Sequence, residues 1–328
     1  STDIPPYFYI RGDRAVQPPT LDISANNSVG WSPIQGAFWR AGGISPDLKL
    51  KDVLPRFTSE AVNVIEKHDP TAGKPLFLYL AYPAPHTPWL PSAEYDGSSQ
   101  AGMYGDFTVM VDAMIGRVMT ALEQRGMAND TLVIFSSDNG PVWYEEDVKR
   151  LGHDSSGGLR GMKSDAWECG HRMPFIARWP GRVKAGTVSG QLLSFTDMLA
   201  TFAAITGVTL NEDEGPDSVN MLPAFVDDPG QPIRDHLVLA PHKGTHLSLR
   251  KGKWMYIPAR GSGGFGGKKP GDHTFAGPPA ASFVGSVNSD IEDGRIRKDA
   301  PPAQLYDLNV DPSQTRNVHD EFPAVVKE

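Results

Sequence analysis

The apolar positions of the chain follow two periods, one helical and one of strands. From Pro55 to His68, the residues Phe57, Ala61, Val62, Val64 and Ile65 fall near helical spacing, with Thr58 or Ser59 as a cap, so a helix is predicted there. Gly73 and Pro75 close that segment. Leu76–Tyr82 is an unbroken apolar run, the pattern of a strand covered on both faces, and it opens onto a loop crowded with Pro83, Pro85, His86, Pro88 and Pro91. The most regular stretch, Tyr104–Arg125, sets Phe107, Met110, Val111, Met114, Ile115, Val118, Met119 and Leu122 in i, i+3/i+4 register before Gly126. It predicts a long helix whose methionines are core rather than metal ligands. Asn129 and Asp130 turn the chain into a second strand, Thr131–Ser136, and a third, Phe175–Trp179, follows Pro174. A helix from Thr196 to Thr206 ends at Gly207. Ahead of all these, residues 1–55 show little periodicity and read as a strand near Pro6–Arg11 followed by long loops.

Helix, short turn and apolar strand in succession is the cadence of an α/β domain. The expected architecture is an α/β/α sandwich with a mixed central sheet over residues 1–231. Past Pro232 the texture changes to short alternating segments, His236–Ala240, His246–Arg250, Lys253–Ile257 and Gln304–Leu308, which predict a small antiparallel C-terminal subdomain over residues 232–328. Within it, residues 258–302 are rich in Gly and Pro. Phe265, Phe275 and Phe283 make this loop too apolar for a pure linker, and it is expected to fold back beside a cleft and shape substrate choice.

Composition narrows the function classes. Across 328 residues, 31 Lys and Arg face 39 Asp and Glu, a net charge of −8 with no long basic run, which excludes nucleic acid and anionic membrane as the main partner. No stretch approaches the roughly 20 apolar residues of a membrane span, and Ser1–Arg11 has neither the charged nor the apolar region of a signal peptide. The lone Cys169 excludes an intramolecular disulfide and a thiolate zinc site, and leaves the compartment undecided.

Three local patterns carry chemistry. Ser136-Ser137-Asp138-Asn139-Gly140, at the carboxyl end of a predicted strand, can aim two hard oxygen donors at one Ca²⁺ or Mg²⁺, although Asp-Asn-Gly is also good turn chemistry. Pro85-His86-Thr87-Pro88 holds a histidine between prolines, as a group that meets a substrate oxygen requires; an exposed loop histidine is the plainer reading. In Gly157-Gly158-Leu159-Arg160-Gly161-Met162-Lys163 the glycines allow close backbone approach while Arg160 and Lys163 supply positive charge, the makings of an anion site or simply a solvated basic loop. His153 stands just upstream. Gly261, Gly263 and Gly266 match G-x-G-x-x-G, but no predicted helix follows, so no dinucleotide site is read there.

Taken in order, these blocks resemble the type I sulfatases, the formylglycine-dependent branch of the alkaline-phosphatase superfamily. The resemblance rests on Leu76–Leu80 leading to Pro85-His86-Thr87-Pro88, on Asp130 to Gly140, and on Arg160-Gly161-Met162-Lys163 with Glu168-Cys169-Gly170-His171-Arg172-Met173-Pro174. Trp179-Pro180-Gly181 and Gln304-Leu305-Tyr306-Asp307-Leu308 extend it, so that it covers nearly all of residues 55–328. It implies a sulfuric ester hydrolase acting on a sulfated small molecule or glycan. His86 and Lys163 are then the catalytic pair, His86, Lys163, Arg160 and His153 contact substrate, and Asp138 and Asn139 are metal ligands. A phosphodiesterase or phosphonate monoester hydrolase of the same superfamily, or a catalytically silent binding module, is the alternative. The family also implies Ca²⁺ (or Mg²⁺), a formylglycine, and a periplasmic or secreted setting. The nucleophile motif C/S-x-P-x-R, an early Asp-Asp pair and a G-K-W-H-L-G-like block occur nowhere in the chain. The chain is therefore expected to be an N-terminally truncated piece, inactive alone, with sheet edges open to self-association. Cys169 stands outside any nucleophile motif and is expected to be a small buried side chain.

Overall fold

A computed structural model describes residues 2–26, 39–143, 145–227, 229–264, 287–293 and 295–328. Phe265, Phe275 and Phe283, and with them the centre of the expected substrate loop, lie outside the described residues. The described residues fall into two compact units, one from 2–128 and 146–153, the other from 129–145, 154–264 and 287–328.

The first unit begins with two small antiparallel pairs, β1 (Ile10–Arg11) with β2 (Arg14–Ala15) and β3 (Leu21–Ile23) with β4 (Gly42–Ile44). The strand expected near Pro6–Arg11 is reduced to β1 and a single parallel bridge from Tyr7 to Ile44. Helix α1 (Val53–Lys67) starts earlier than its sequence cap suggests, because Pro55 is accommodated in the first turn, where a missing N–H costs nothing. Thr58 is accordingly interior: its hydroxyl donates to Leu54 O at 2.9 Å and sits 2.7 Å from the Tyr82 hydroxyl. Val53 joins Tyr7, Tyr9, Leu48 and Leu50 in an apolar cluster, while α1 packs along α2 (Gly102–Gln124). Met110 and Met114 are buried in α2, as the periodicity predicts. A short helix, α3 (Glu145–Leu151), follows later in the chain.

Leu76–Tyr82, the expected doubly covered strand, joins no ladder among the described residues, and Phe77 and Tyr79 are 77% and 82% exposed. Of the expected central sheet, the described residues show one strand pair, in the second unit. There β5 (Val133–Ser136) runs antiparallel to β6 (Phe175–Arg178), with Ser136 opposite Phe175. Helix α4 (Met198–Thr206) is entered through a Ser194/Asp197 capping box and left at Gly207, whose φ is +72°. Short α5 (Leu222–Val226) follows.

The alternating segments become β7 (His236–Leu239), β8 (Ser248–Lys251) and β9 (Trp254–Ile257). An antiparallel pair, β10 (Ile291–Glu292) with β11 (Arg295–Ile296), lies within residues 258–302, the stretch read as a Gly- and Pro-rich loop. With β12 (Gln304–Asp307), the sheet order is β12-β9-β8-β7, antiparallel throughout, and α6 (Pro323–Lys327) ends the chain. The boundary expected at 231/232 does not separate compact units, because Ala166 and Trp167 share one core with Met255, Ile257, Tyr306 and Leu308. Trp167 Nε1 also donates to Gln304 Oε1 at 3.0 Å, while Gln304 Nε2 donates to the carbonyls of Ala259 and Gly261. The basic loop is therefore rooted in the C-terminal sheet. No helix among the described residues is long and apolar enough to cross a membrane.

Candidate functional site

Strand β5 delivers the chain into a tight turn. Ser136 Oγ donates to Pro174 O at 2.7 Å, Ser137 Oγ to Asn139 O at 3.1 Å, and Asn139 Nδ2 to Gly140 O at 2.9 Å. The Asp138 carboxylate is exposed and takes no hydrogen bond or ion pair among the described residues. Gly140 is required by close approach: its N–H donates to Gly170 O at 3.0 Å, and a Cβ there would run into the Cys169 carbonyl.

That approach brings in the loop 154–170. The Asp154 carboxylate accepts from Ser156 N, Ser156 Oγ and Gly158 N, and Gly157, Gly158 and Gly161 all have positive φ. Lys163 N donates to Pro141 O at 2.8 Å, so Lys163 lies alongside the turn that carries Asp138 and Asn139. Its side chain is half-buried and its ammonium is held by no carboxylate among the described residues. Ser164 follows with φ +78°, a left-handed conformation that costs a non-glycine residue about 1–2 kcal/mol and is kept only where the surroundings enforce it.

Arg160 departs from the sequence reading. It is fully buried, with Nε donating to Gln314 O at 3.0 Å and the other guanidinium edge to Val287 O at 2.6 Å. Burial pulls its pKa down, and the side chain is a pin between the loop and the C-terminal region rather than a substrate contact. Cys169 is buried as expected, with its Sγ 4.0 Å from Ser156 O; desolvation, reinforced by Asp154, Asp165 and Glu168, pushes its thiol up to about 12. It is protonated at neutral pH and inert.

His86 and His153 belong to the first unit. The His86 ring is half-buried, and its Nδ1–H donates to Thr87 O at 2.8 Å, which orients the ring. The peptide bonds Ala84–Pro85 and Thr87–Pro88 are both cis. His153 is exposed, its ring 6.0 Å from that of Tyr104.

Several residues that shape the loop gave little sequence signal. Asp165 is wholly buried, and its Oδ2 accepts from Met162 N at 2.9 Å. Desolvation, only partly offset by the Ser262 hydroxyl and Met162 N–H, lifts its carboxyl to about 8. Glu168, also buried, accepts from Arg172 at 3.1 Å and Arg250 at 3.5 Å. Beside them, Ala166 N donates to Ser262 O, His242 N to Ser164 O and Lys243 N to Gly263 O. A carboxylate two positions after Lys163 was the one available clue; the partners 262–264 and 242–243 are too far along the chain to be read locally.

The donor chemistry fits a hard divalent cation in part. Asp138 offers a carboxylate, and Asn139 keeps Oδ1 available because its Nδ2 is the bonded atom. No group of three or more His, Cys, Asp or Glu side chains that would hold a metal occurs among the described residues.

The sulfatase family model matches residues 47–208. The chain is 33% identical over 295 residues to an N-acetylgalactosamine-6-O-sulfatase of Bacteroides thetaiotaomicron, covering 88% of this chain and 52% of that protein. Human N-acetylgalactosamine-6-sulfatase is 35% identical over 170 residues, which is 52% of this chain and 32% of the human one. A solved structure from work on the metabolism of multiple glycosaminoglycans by Bacteroides thetaiotaomicron superposes with a TM-score of 0.70 at 32% identity, covering 88% of this chain and 55% of that one. A Pseudoalteromonas sulfatase structure matches with a TM-score of 0.61 at 25% identity, over 85% and 50%. The fold is thus the alkaline-phosphatase-like α/β fold of these enzymes, and the chain spans about half the length of the Bacteroides relative.

Proposed function

Because the chain belongs to the sulfatase family, its match to that family's model running over residues 47–208, we propose that the protein hydrolyses sulfate esters of carbohydrates. The sulfur–oxygen bond to the sugar breaks, water supplies the oxygen that replaces it, and the departing sugar oxygen gains a proton. The observation that supports this best is Lys163, half-buried, with no carboxylate on its ammonium among the described residues, and hydrogen-bonded through its backbone to the turn of Asp138 and Asn139. A cation without a carboxylate partner in a partly desolvated loop is a site for an anionic sulfuryl group. Asp138 and Asn139 supply two of the about 6–8 oxygen ligands that Ca²⁺ takes. A divalent cation bound there adds positive charge against a sulfuryl oxygen. His86 enters from the family motif alone, as a residue that assists departure of the leaving oxygen. Both family relatives quoted above are named as hexosamine 6-sulfatases, which favours a 6-O-sulfated hexosamine over an aryl sulfate or a phosphate ester.

The test is ligand-observed NMR titration of the chain with a hexosamine 6-sulfate and with the same sugar lacking sulfate. Binding is expected for the sulfated sugar alone, and Lys163→Ala is expected to weaken it at least tenfold while Lys163→Arg retains part of it. Equal binding of both sugars, or indifference to Lys163→Ala, would refute this reading.

A further inference from the structure

Lys163 is not the only cation presented by this loop. The segment that joins β7 to β8 is fastened to it by backbone hydrogen bonds: His242 N donates to Ser164 O at 3.0 Å, and Lys243 N to Gly263 O at 2.8 Å. Residues 262–264 are themselves tied to the loop through Ala166 N and Ser262 O at 2.7 Å. Glycine is obligatory at two of these contacts, because a Cβ on Gly263 would strike the His246 ring and one on Gly264 the Asp165 carboxyl. His246 is locked in turn, with ring nitrogens at Arg260 O and Thr245 Oγ1. The left-handed Ser164 turns its carbonyl to meet His242.

On this rigid platform the Lys243 side chain is exposed and makes no ion pair among the described residues. One 3.0 Å hydrogen bond and the short stretch of backbone on either side of it hold the Cα atoms of Lys163 and Lys243 within about 15 Å of each other. A di- or trisaccharide spans that separation. Burial lifts the carboxyl of Asp165, two residues past Lys163, to about 8.

We propose that Lys243 forms an accessory anion subsite beside Lys163, which recognises a second negative group on the saccharide next to the sulfated sugar. This rests on the reading of Lys163 as the sulfate-holding residue. It places the substrate class among polyanionic glycans, in which a uronate or a further sulfate neighbours the ester under attack.

The experiment compares two disaccharides at fixed ionic strength by ligand-observed NMR titration. Both carry the hexosamine 6-sulfate; one joins it to a uronic acid, the other to the corresponding neutral sugar. Lys243→Ala is expected to weaken the uronate disaccharide about three- to fivefold, the effect of one solvent-exposed ion pair, and to leave the neutral one unchanged, while Lys243→Arg restores it. If Lys163→Ala abolishes binding but Lys243→Ala affects both disaccharides equally, or neither, the accessory subsite is overturned and the sulfate pocket stands. If the unsubstituted chain binds neither disaccharide, or Lys163→Ala changes nothing, the pocket falls and the subsite with it.

Discussion

Two positions separate Lys163 from Asp165, yet their surroundings are opposite: one side chain reaches solvent with its charge available, the other is sealed in with a carboxyl lifted to about 8. The sign of the resulting pH dependence follows directly. In the unfolded chain Asp165 releases its proton near pH 4, whereas in the folded chain it holds that proton up to about 8, so the folded state binds more protons between these values. Its contribution to stability is full below about pH 4 and declines as pH rises to about 8. Asp165→Asn keeps the shape and removes the titration, so the variant should gain on the unsubstituted chain from pH 5 to pH 8, by an order of a few kcal/mol, in urea unfolding curves. Parallel stability profiles would show that the carboxyl is ionised within the fold. Arg160 teaches the complementary lesson. Its residue type pointed to anion binding, but its partners, Val287 and Gln314, lie 127 and 154 positions away, and only folding shows that the guanidinium is turned inward to backbone carbonyls. Asp138, Asn139 and Lys163 were singled out from spacing and flanking glycines, which are local properties, and the structure joins their two segments through Lys163 N and Pro141 O.

At the scale of elements, the turn leaving β5 and the loop 154–170 form one construction, closed where Gly140 meets Gly170. Gly140→Ala sets a methyl group against a backbone carbonyl, which cannot rotate away as a side-chain tip does. Destabilisation of about 1–3 kcal/mol is expected from overpacking. Binding of a sulfated hexosamine should weaken as well, since the Asp138–Asn139 turn and Lys163 are registered through this contact; thermal melts and the same NMR titration read the two effects. A variant with unchanged melting and unchanged binding would mean that the turn and loop are not coupled. Helix α2 and strand β9 were legible because each buries one face and keeps its period. Leu76–Tyr82 was not. An unbroken apolar run says that a segment is suited to cover on both sides, but ladder formation depends on neighbours that its own residues do not specify, and in this structure Phe77 and Tyr79 face solvent. The α1 start was misplaced for a local reason, because Thr58 has the chemistry of a cap but uses its hydroxyl inside the helix.

For the molecule as a whole, binding and turnover are expected to part company. Electrostatic and positioning groups lower a barrier only when a nucleophile is present to form the new bond to sulfur. C/S-x-P-x-R, the source of the family's formylglycine, occurs at no position of the 328 residues, and the one thiol, Cys169, is buried and pushed up to about 12. Nor does the pair Asp138 and Asn139 complete the coordination that Ca²⁺ prefers. The chain by itself should therefore hold a sulfated sugar through Lys163 without releasing sulfate. The measurement is sulfate release from a hexosamine 6-sulfate by the purified chain with excess Ca²⁺, alone and after addition of the part of the Bacteroides relative that this chain does not match. No release from the chain alone is expected, and any release should appear only in the mixture and be lost on Lys163→Ala or His86→Ala. Steady release by the unaided chain, abolished by His86→Ala, would mean that another nucleophile operates within these residues, and the division between a binding loop here and a nucleophile elsewhere would have to be abandoned.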